Sequence, residues 1–426
     1  MSDPSHPDPA TLQWRRRVHE RLLDTIDLRR RDLGRMSDAE LRHETAALIA
    51  LIDAADEGIP AAVDRDRLCR EVLDEAIGLG PLEALLEDER ISEIMVNRFD
   101  EIFIERDGRI ERHPVSFTSD RAVLGVIERI VAPIGRRIDE SSPMVDARLK
   151  DGSRVNAVIP PLALKGPTLT IRRFARRHLT MADMLERGSL SAAMAAFLRV
   201  CVQERRNIVV AGGTGTGKTT FLNLLSGLIP EGERIITIED AAELRLDHRN
   251  LVSLEARPNN LEGRGAVSIR ELVRNALRMR PDRIVIGECR GAEALDMLQA
   301  MNTGHEGSLT TLHANSPRDA LARLETLVLM AGMDLPLNAI REQIASAIDI
   351  IVQQTRFACG TRRVTSICEL TGLEGGRMQL QELFRFERSG QHGERFVGCD
   401  AVPNFYDELR QRQVPLDFSI FDRLPS

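Results

Sequence analysis

The stretch GGTGTGKTT at residues 212–220 constrains the fold of this chain more than any other. It lies between the apolar runs NIVVA and FLNLLSGL, which predicts a buried strand, a glycine-rich turn and then a helix. Residues 212–219 fit G-x-x-x-x-G-K-[ST], a pattern whose glycines let consecutive N–H groups curve around an anion at a helix N-terminus. The sequence therefore predicts a phosphate-binding loop.

Side chains of this loop suit a nucleoside triphosphate. Lys218 is expected to reach the β- and γ-phosphates, and the hydroxyl of Thr219 is expected to bind Mg²⁺. The chain holds three lysines among 58 basic residues, and a compact ammonium fits between phosphates where a planar guanidinium does not. Thr220 adds a second hydroxyl that is expected to pack. The expected nucleotide-binding residues are Gly213, Thr214, Gly215, Thr216, Gly217, Lys218, Thr219 and Thr220.

Composition narrows the classes of protein that could carry this loop. A net charge of −7 and an aromatic content of 4% disfavour direct binding of nucleic acid. No Asn-Lys dipeptide occurs, so the N-K-x-D signature of guanine recognition is absent and adenine is the expected base. About two hundred residues precede the loop, which disfavours a small-molecule kinase. ATP with Mg²⁺ is the predicted ligand.

The cysteines and the apolar runs predict where the protein resides. Six cysteines occur without any CxxC pair, which disfavours a four-cysteine zinc site and is typical of reduced thiols in the cytosol. The first residues show no apolar signal core, and no uncharged apolar run reaches the length of a membrane span. We expect a cytoplasmic protein that meets a membrane only through partners.

Changes of pattern along the chain predict five segments. They are a disordered tail at 1–9, a three-helix bundle at 10–79, an α+β domain at 80–175, a linker at 176–188 and an α/β domain at 189–426.

The bundle is predicted from three helical patterns, at 10–34, 37–56 and 65–79. Leu22, Leu23, Ile26 and Leu33 form an apolar stripe on the first helix, and Ser37 with Glu40 resembles a capping box that opens the second.

In the α+β domain, strand-like alternation surrounds two Asp-Gly pairs, at 107–108 and 151–152, which predicts two hairpins. In the α/β domain, helical patterns alternate with apolar runs, which predicts a doubly wound, mostly parallel sheet. Its strands are expected at 207–211, 234–239, 251–254, 283–287, 308–313 and 349–354. Further strands and a short helix are expected after residue 360.

Two predicted strands end in carboxylates, at the edge of a parallel sheet where ligands bind. One ends in Glu239 and Asp240, with Glu243 expected one helical turn beyond; helix capping by Asp240 is the alternative interpretation. The other ends in Gly287 and Glu288. Glycine at 287 removes the usual carboxylate beside Mg²⁺, so the expected metal-binding residues are Thr219, Glu239 and Glu288, acting partly through water. Glu288 is the first choice to orient the attacking water, and the choice between Glu239 and Glu288 as base stays open.

Two histidines flank another predicted strand. His313 closes it and is expected to sense the γ-phosphate. For His305, a structural role and a functional role are equally compatible with the sequence.

These motifs together resemble the type II/type IV secretion ATPase superfamily. That family carries, in order, a Walker A loop, an acidic box, a Gly-Glu form of Walker B and a histidine box, which residues 212–219, 239–243, 287–288 and 305–313 match. The segments GLGPLEALLEDERISEIMVN, SSPMVDARLKDGSRVNAVIPP and DMLQAMNTGHEGSLTTLHANSPRDAL resemble its CpaF-like branch, which powers Tad (Flp) pili.

The resemblance implies a RecA-like ATPase domain at 189–426 in a homohexameric cytoplasmic ring at the inner membrane. Such rings drive inner-membrane platform proteins that add or remove pilin subunits. It also implies that arginines of the α+β domain approach the phosphates, which points to Arg148, Arg154 and Arg172, with Arg173 as a further candidate. An ideal two-residue hairpin would turn Arg148 and Arg154 to opposite faces, so we predict a three-residue loop or a bulge.

Two alternatives remain open at the level of the sequence. The first is a traffic ATPase of a conjugative type IV secretion system, a close relative that the N-terminal helical bundle disfavours. The second is a nucleic-acid translocase, which the acidic charge disfavours.

Overall fold

The computed structural model describes residues 9–29, 38–55, 60, 63–174, 179–257, 264–389 and 393–423. The chain divides into two compact units, Met1–Arg176 and Arg177–Ser426. Within the described ranges, no helix combines the length and the apolar character needed to cross a membrane.

Three helices begin the first unit: α1 (Pro9–Arg29), α2 (Asp38–Ala55) and α3 (Arg65–Ile77). Their shared core contains Leu22, as the predicted stripe requires, together with Val18, Ile49 and Leu68. The remaining stripe residues and the predicted Ser37 cap lie outside the part of the chain whose side chains are described.

Buried polar contacts fasten α1 to the rest of the first unit. The Arg15 guanidinium donates to the carbonyl of Ser116 and lies 3.6 Å from the Glu75 carboxylate. Thr118 Oγ1 donates to Glu75 Oε1 at 2.7 Å and lies 3.3 Å from His19 Nδ1. These side chains lose water on folding, so each depends on the others for its hydrogen bonds.

The remainder of the first unit packs helices against an antiparallel sheet. Its helices are α4 (Leu82–Glu87) and α5 (Asp120–Val131). Its strands are β1 (Ile91–Arg98), β2 (Glu101–Arg106), β3 (Arg109–His113), β4 (Met144–Arg148), β5 (Arg154–Val158) and β6 (Thr168–Arg172), in the spatial order β3-β2-β1-β6-β5-β4. Ser119 caps α5 by accepting from the N–H of Ala122, and the buried face of α5 presents Val123, Val126 and Ile127 to the core.

Both predicted hairpins form. Asp107 and Gly108, with φ of 50° and 80°, make the two-residue turn between β2 and β3. Between β4 and β5, the Leu149 N–H donates to the Ser153 carbonyl at 2.9 Å, which leaves a three-residue loop with Gly152 at φ 91°. This loop places Arg148 directly opposite Arg154, so the predicted departure from a two-residue turn is confirmed.

The segment predicted as a linker, 176–188, differs from that prediction where it is described. Residues 175–178 lie outside the described ranges, but α6 (Met181–Glu186) follows directly. A reciprocal capping box between Thr180 and Asp183 opens this helix, and Met184 is buried in the core of the second unit. A cap and an apolar anchor therefore make this stretch part of the second unit, despite the arginines that precede it.

The second unit is built on a nine-stranded sheet. Its strands are β7 (Ile208–Gly212), β8 (Ile235–Glu239), β9 (Leu251–Glu255), β10 (Arg283–Cys289), β11 (Leu309–His313), β12 (Ile350–Arg356), β13 (Arg362–Glu374), β14 (Arg377–Ser389) and β15 (Gly393–Gly398). Its further helices are α7 (Ala192–Gln203), α8 (Lys218–Ser226), α9 (Ile269–Ala276), α10 (Glu293–Asn302), α11 (Pro317–Leu329), α12 (Leu337–Ala347) and α13 (Phe405–Gln411).

The strand order is β15-β14-β13-β12-β7-β11-β10-β8-β9. The six strands from β12 to β9 are parallel, and β13 to β15 extend the sheet as antiparallel strands. Alternate residues of β7 enter two cores, Ile208 and Val210 on one face and Val209 and Ala211 on the other. Burial on both faces explains why the strand reads as a continuous apolar run.

The predicted α/β architecture is confirmed. All six predicted strands are found within two residues of their expected ends, and extra strands and a short helix follow residue 360.

Candidate active site

The phosphate-binding loop joins β7 to α8 in the second unit. Gly215 and Gly217 have φ of 71° and 94°, a left-handed backbone that other residues adopt only with strain. The turn ends at Lys218, the first residue of α8, so the loop lies at the positive end of that helix. This is the arrangement that the motif predicts.

Contacts inside the loop shape it. Thr216 Oγ1 and Lys218 Nζ each donate to the Gly213 carbonyl, both at 3.0 Å. A Cβ at Gly212 would lie 2.6 Å from Thr216 Oγ1 and 2.8 Å from the Gln354 carbonyl, so glycine is required for the loop to close against its neighbours.

The two threonines that begin α8 differ in exposure. Thr219 is half-buried, whereas Thr220 is exposed. The expectation that Thr220 packs is therefore wrong, because its position on the helix faces outward. Thr219 remains the better placed of the two hydroxyls for a ligand held in the loop.

The predicted site residues lie at the ends of neighbouring parallel strands, at one edge of the sheet. His313, the last residue of β11, is the register partner of Gly212, the last residue of β7. The next strands outward, β10 and β8, carry Glu288 and Glu239 at the same ends. Folding therefore brings these three side chains to the sheet edge that holds the loop, although more than seventy residues of sequence separate Glu239 from His313.

Glu239 is buried and engaged with the backbone. Its Oε1 accepts the N–H of Glu243 at 2.9 Å and of Leu244 at 3.0 Å, and only 4% of the residue is exposed. No helix forms in residues 240–250, so the expected helical turn to Glu243 and the capping role of Asp240 are wrong. Instead, the chain after β8 turns around the Glu239 carboxylate, which accepts hydrogen bonds from two of its backbone N–H groups.

Gly287 makes room for that carboxylate. A Cβ added at Gly287 would lie 2.9 Å from Cγ and 3.3 Å from Oε1 of Glu239. Glycine in the Walker B position is therefore a steric requirement set by the neighbouring strand, in addition to the loss of a carboxylate that the sequence shows.

Glu288 is more accessible and is paired with an arginine. A quarter of its side chain is exposed, and Oε2 accepts from Arg290 Nη2 at 2.7 Å. Arg290 Nη1 lies 3.8 Å from Asp240 Oδ2. The hydrogen bond to Glu288 raises the pKa of Arg290 above its usual value. Arg290 is not among the residues predicted from the sequence, although its position two residues after Glu288 is a signal.

His305 does not join this group. It precedes β11, whereas His313 ends that strand, so the two histidines lie at opposite edges of the sheet. The Ser308 hydroxyl donates to the His305 carbonyl at 2.8 Å, and the buried Arg283 donates to the Gly307 carbonyl at 3.0 Å. The location of His305 at the sheet edge opposite to the loop favours its structural interpretation.

Two further arginines beside the loop were not predicted. Arg362 Nε donates to the Gly215 carbonyl at 2.9 Å, and a Cβ at Gly215 would lie 3.1 Å from Arg356 Nη1. The two residues are register partners on β12 and β13. Because β12 pairs with β7, this hairpin brings positive charge to the loop from its far side.

The predicted arginines of the first unit form a row. Arg148, Arg154 and Arg172 are successive register partners on β4, β5 and β6, and they share the face of the sheet opposite the core. Arg172 Nε lies 3.7 Å from Glu93, the partner on β1. Arg173 points elsewhere: its guanidinium donates to the carbonyls of Ile91, at 3.0 Å, and of Asp88, so it is structural.

Oxygen donors at the sheet edge fit the magnesium ion of a nucleotide complex. Mg²⁺ is commonly held by one or two carboxylates, water and substrate phosphates. Thr219 offers a hydroxyl and Glu288 an accessible carboxylate, whereas the Glu239 carboxylate is already engaged with backbone N–H groups. Among the described residues, no group of three or more His, Cys, Asp and Glu side chains is arranged to hold a metal by itself.

Comparison with known proteins identifies the family. The profile described as "Type II/IV secretion system protein" matches residues 75–407. A putative conjugal transfer protein of Mycobacterium tuberculosis is 38% identical over 349 residues, which cover 80% of this chain and 96% of that protein.

Two solved structures that are described as ATPases are similar to this chain. The VirB11 ATPase of the Brucella suis type IV secretion system is 33% identical, with 68% of this chain and 95% of that chain covered and a TM-score of 0.38. The Yersinia pseudotuberculosis ATPase DotB is 18% identical, with 67% and 78% covered, and its TM-score of 0.51 shows a shared fold. On the strength of the family match and the curated relative, this chain belongs to the type II/IV secretion system protein family.

Proposed function

We propose that this protein is an ATP-hydrolysing motor that acts as a homohexameric ring and couples hydrolysis to pilus assembly or protein secretion. The observation that carries the proposal is the sheet edge of the second unit, where the Lys218 loop, Glu288 and His313 come together. Membership of the type II/IV secretion system protein family supports it.

Each residue of the edge has a role in this proposal. The loop N–H groups and Lys218 bind the phosphates, and Thr219 together with Glu288, the latter through water, would hold Mg²⁺, which would neutralise the charge developing on the transferred phosphoryl group. Glu288 orients the attacking water and accepts its proton, because its carboxylate is accessible. His313 contacts the γ-phosphate from the neighbouring strand.

Glu239 has a different role from Glu288 in this proposal. Its carboxylate already accepts hydrogen bonds from the N–H groups of Glu243 and Leu244, and the residue is buried. In this proposal it therefore positions the segment after β8 and supports the metal site indirectly. This distribution supports Glu288 as the proposed base.

The arginine row of the first unit supplies positive charge to the transferred phosphoryl group. Three guanidinium groups on one face are suited to this role, because arginine donates several hydrogen bonds in a fixed plane. Arg148, Arg154 and Arg172 are the proposed contributors. Their arrival during the cycle would couple hydrolysis to a movement of one unit.

For the biological role, we propose assembly of a Tad (Flp) pilus, in which the ring acts at the cytoplasmic face of the inner membrane on platform proteins and binds no nucleic acid directly. The alternative is a traffic ATPase of a conjugative type IV secretion system. The names of the relatives, a conjugal transfer protein and a type IV secretion ATPase, favour that alternative as strongly.

Steady-state ATP turnover tests the enzyme proposal. The wild-type protein is expected to release phosphate from ATP in the presence of Mg²⁺, and Lys218→Ala is expected to reduce this to background, because the loop loses its phosphate-binding ammonium. Arg410→Ala, an exposed surface change on α13, is the control. Absence of turnover in the wild type, even with its membrane partners added, would refute the proposal.

A deletion strain distinguishes the two biological roles. Loss of surface pili with normal plasmid transfer supports the pilus motor, and loss of transfer with normal pili supports the conjugative ATPase. DNA-stimulated hydrolysis with salt-dependent DNA affinity would contradict both and indicate a nucleic-acid translocase.

A further inference from the structure

Arg290 occupies a fixed place between two strand ends of the candidate active site. It follows β10 directly, and its backbone is held by a buried carboxylate: Glu293 Oε1 accepts the N–H groups of Arg290 at 2.6 Å and of Gly291 at 2.8 Å. The start of α10 therefore fixes the direction in which the Arg290 side chain leaves the backbone.

The guanidinium connects two carboxylates on neighbouring strands. Nη2 donates to Glu288 Oε2 at 2.7 Å, and Nη1 lies 3.8 Å from Asp240 Oδ2 beyond the end of β8. Glu288 alone could rotate about its side-chain bonds, but the hydrogen bond from a guanidinium whose backbone is held favours one orientation of the carboxylate. Engagement of Oε2 leaves Oε1 to accept a proton from water.

We infer that Arg290 is a positioning residue that holds the Glu288 carboxylate in the orientation needed to activate water, with Asp240 as the second anchor of the bridge. The inference rests on the proposed hydrolytic function and deepens it. Arg290 acts through Glu288 and has no contact with the nucleotide in this account.

Kinetics of Arg290→Ala separate positioning from binding. The kcat for ATP is expected to fall by about 10- to 100-fold, a part of the roughly 100- to 10,000-fold that general-base catalysis contributes, because the base remains but loses its orientation. The Kd of a fluorescent ATP analogue is expected to stay within about threefold, because the phosphate-binding loop is untouched. Arg290→Lys should restore part of kcat, since an ammonium can pair with Glu288 but has no planar fork to span both carboxylates.

A double-mutant cycle provides the most specific readout. In a Glu288→Gln background, adding Arg290→Ala is expected to have no further effect on single-turnover hydrolysis, because the residue acts only through that carboxylate. Arg410→Ala, which removes an exposed ion pair with Asp407 on α13, is the matched control and should keep wild-type kcat.

Three results would overturn the inference. They are a kcat for Arg290→Ala within twofold of the wild type, a Kd that weakens in proportion to the loss of activity, and additive losses in the double mutant. If Arg290→Ala lowers the melting temperature, Arg290→Gln is judged by the same criteria. An inactive wild type would instead refute the hydrolytic function itself, so the two failures are distinguishable.

Discussion

At the scale of single residues, the candidate active site depends on close contacts across neighbouring strands. Gly287 is the clearest case, because the Glu239 side chain fills the space that a Cβ at position 287 would need. The sequence shows glycine at this position and permits the inference that a carboxylate is missing. It does not show that a side chain on another strand fills the space, since that contact exists only once β8 and β10 pair.

Gly287→Ala is expected to lower the free energy of unfolding by about 1–3 kcal/mol, as overpacking does, and to reduce ATP turnover by displacing Glu239 from its backbone N–H partners. Chemical denaturation and phosphate release measure the two effects. Gly232→Ala is the matched control, because a Cβ there meets nothing within 4 Å. Wild-type stability and turnover in Gly287→Ala would contradict the steric account.

Contacts between single residues also show what sequence motifs can and cannot predict. The location of Lys218, Glu288 and His313 at one sheet edge could be predicted, because each follows an apolar run that ends at the same edge of a parallel sheet. Arg356 and Arg362 could not be predicted, because their proximity to Gly215 depends on the pairing of β12 with β7 across more than one hundred residues of chain.

At the scale of elements, local signals predicted the helices and strands well where their periodicity was strong. The two Asp-Gly turns and the three-residue loop before Arg154 followed from turn chemistry. Helix α6 was missed because the arginines before it suggested a linker, although the Thr180–Asp183 capping box was present in the sequence. The acidic segment after β8 was predicted as helical because spacing alone cannot show that Glu239 binds its backbone.

Docking of α1 on the first unit is expected to depend on pH through His19. Burial lowers the pKa of His19 below its usual value, against the opposing effect of Glu75 and with added repulsion from Arg129 and Arg15. Below about pH 6.5 the unfolded chain binds a proton that the folded helix resists, so stability falls as the pH drops, by at most about 1.4 kcal/mol per pH unit.

Trp14, the one tryptophan of the chain, packs against the bundle core and reports on this docking. Urea unfolding followed by its fluorescence should show a stability that falls between pH 7.5 and pH 5.5, with a smaller fall in His19→Gln. His43→Gln, at an exposed position of α2, should behave as the wild type. An equal pH dependence in wild type and His19→Gln would show that His19 is not responsible.

At the scale of the whole molecule, the architecture of each unit was predicted from the sequence, because alternating apolar runs and helical patterns specify an α/β sheet almost by themselves. A role for the first unit in hydrolysis by the second is part of the proposed function, and kinetics can test it. The arginine row is the feature of the first unit that bears on it.

Arg154→Ala is expected to reduce kcat by at least about tenfold, because an arginine that meets the phosphoryl group in the transition state contributes much of the charge stabilisation. Binding of an ATP analogue to the loop should change little. Arg109→Ala, at an exposed position of β3 in the same unit, is the control and should retain wild-type turnover. Unchanged kcat in Arg154→Ala would remove the arginine row from the mechanism.

The most direct test of the account is ATP binding and hydrolysis by Glu288→Gln, measured side by side on the full chain. The amide keeps the size of the side chain but cannot accept the proton of water. This variant is expected to bind ATP with Mg²⁺ as tightly as the wild type, because the amide oxygen can still accept a hydrogen bond from a metal-bound water. Its single-turnover hydrolysis is expected to be slower by about 100- to 10,000-fold. Hydrolysis at the wild-type rate would contradict the claim that this sheet edge is the catalytic centre with Glu288 as its base.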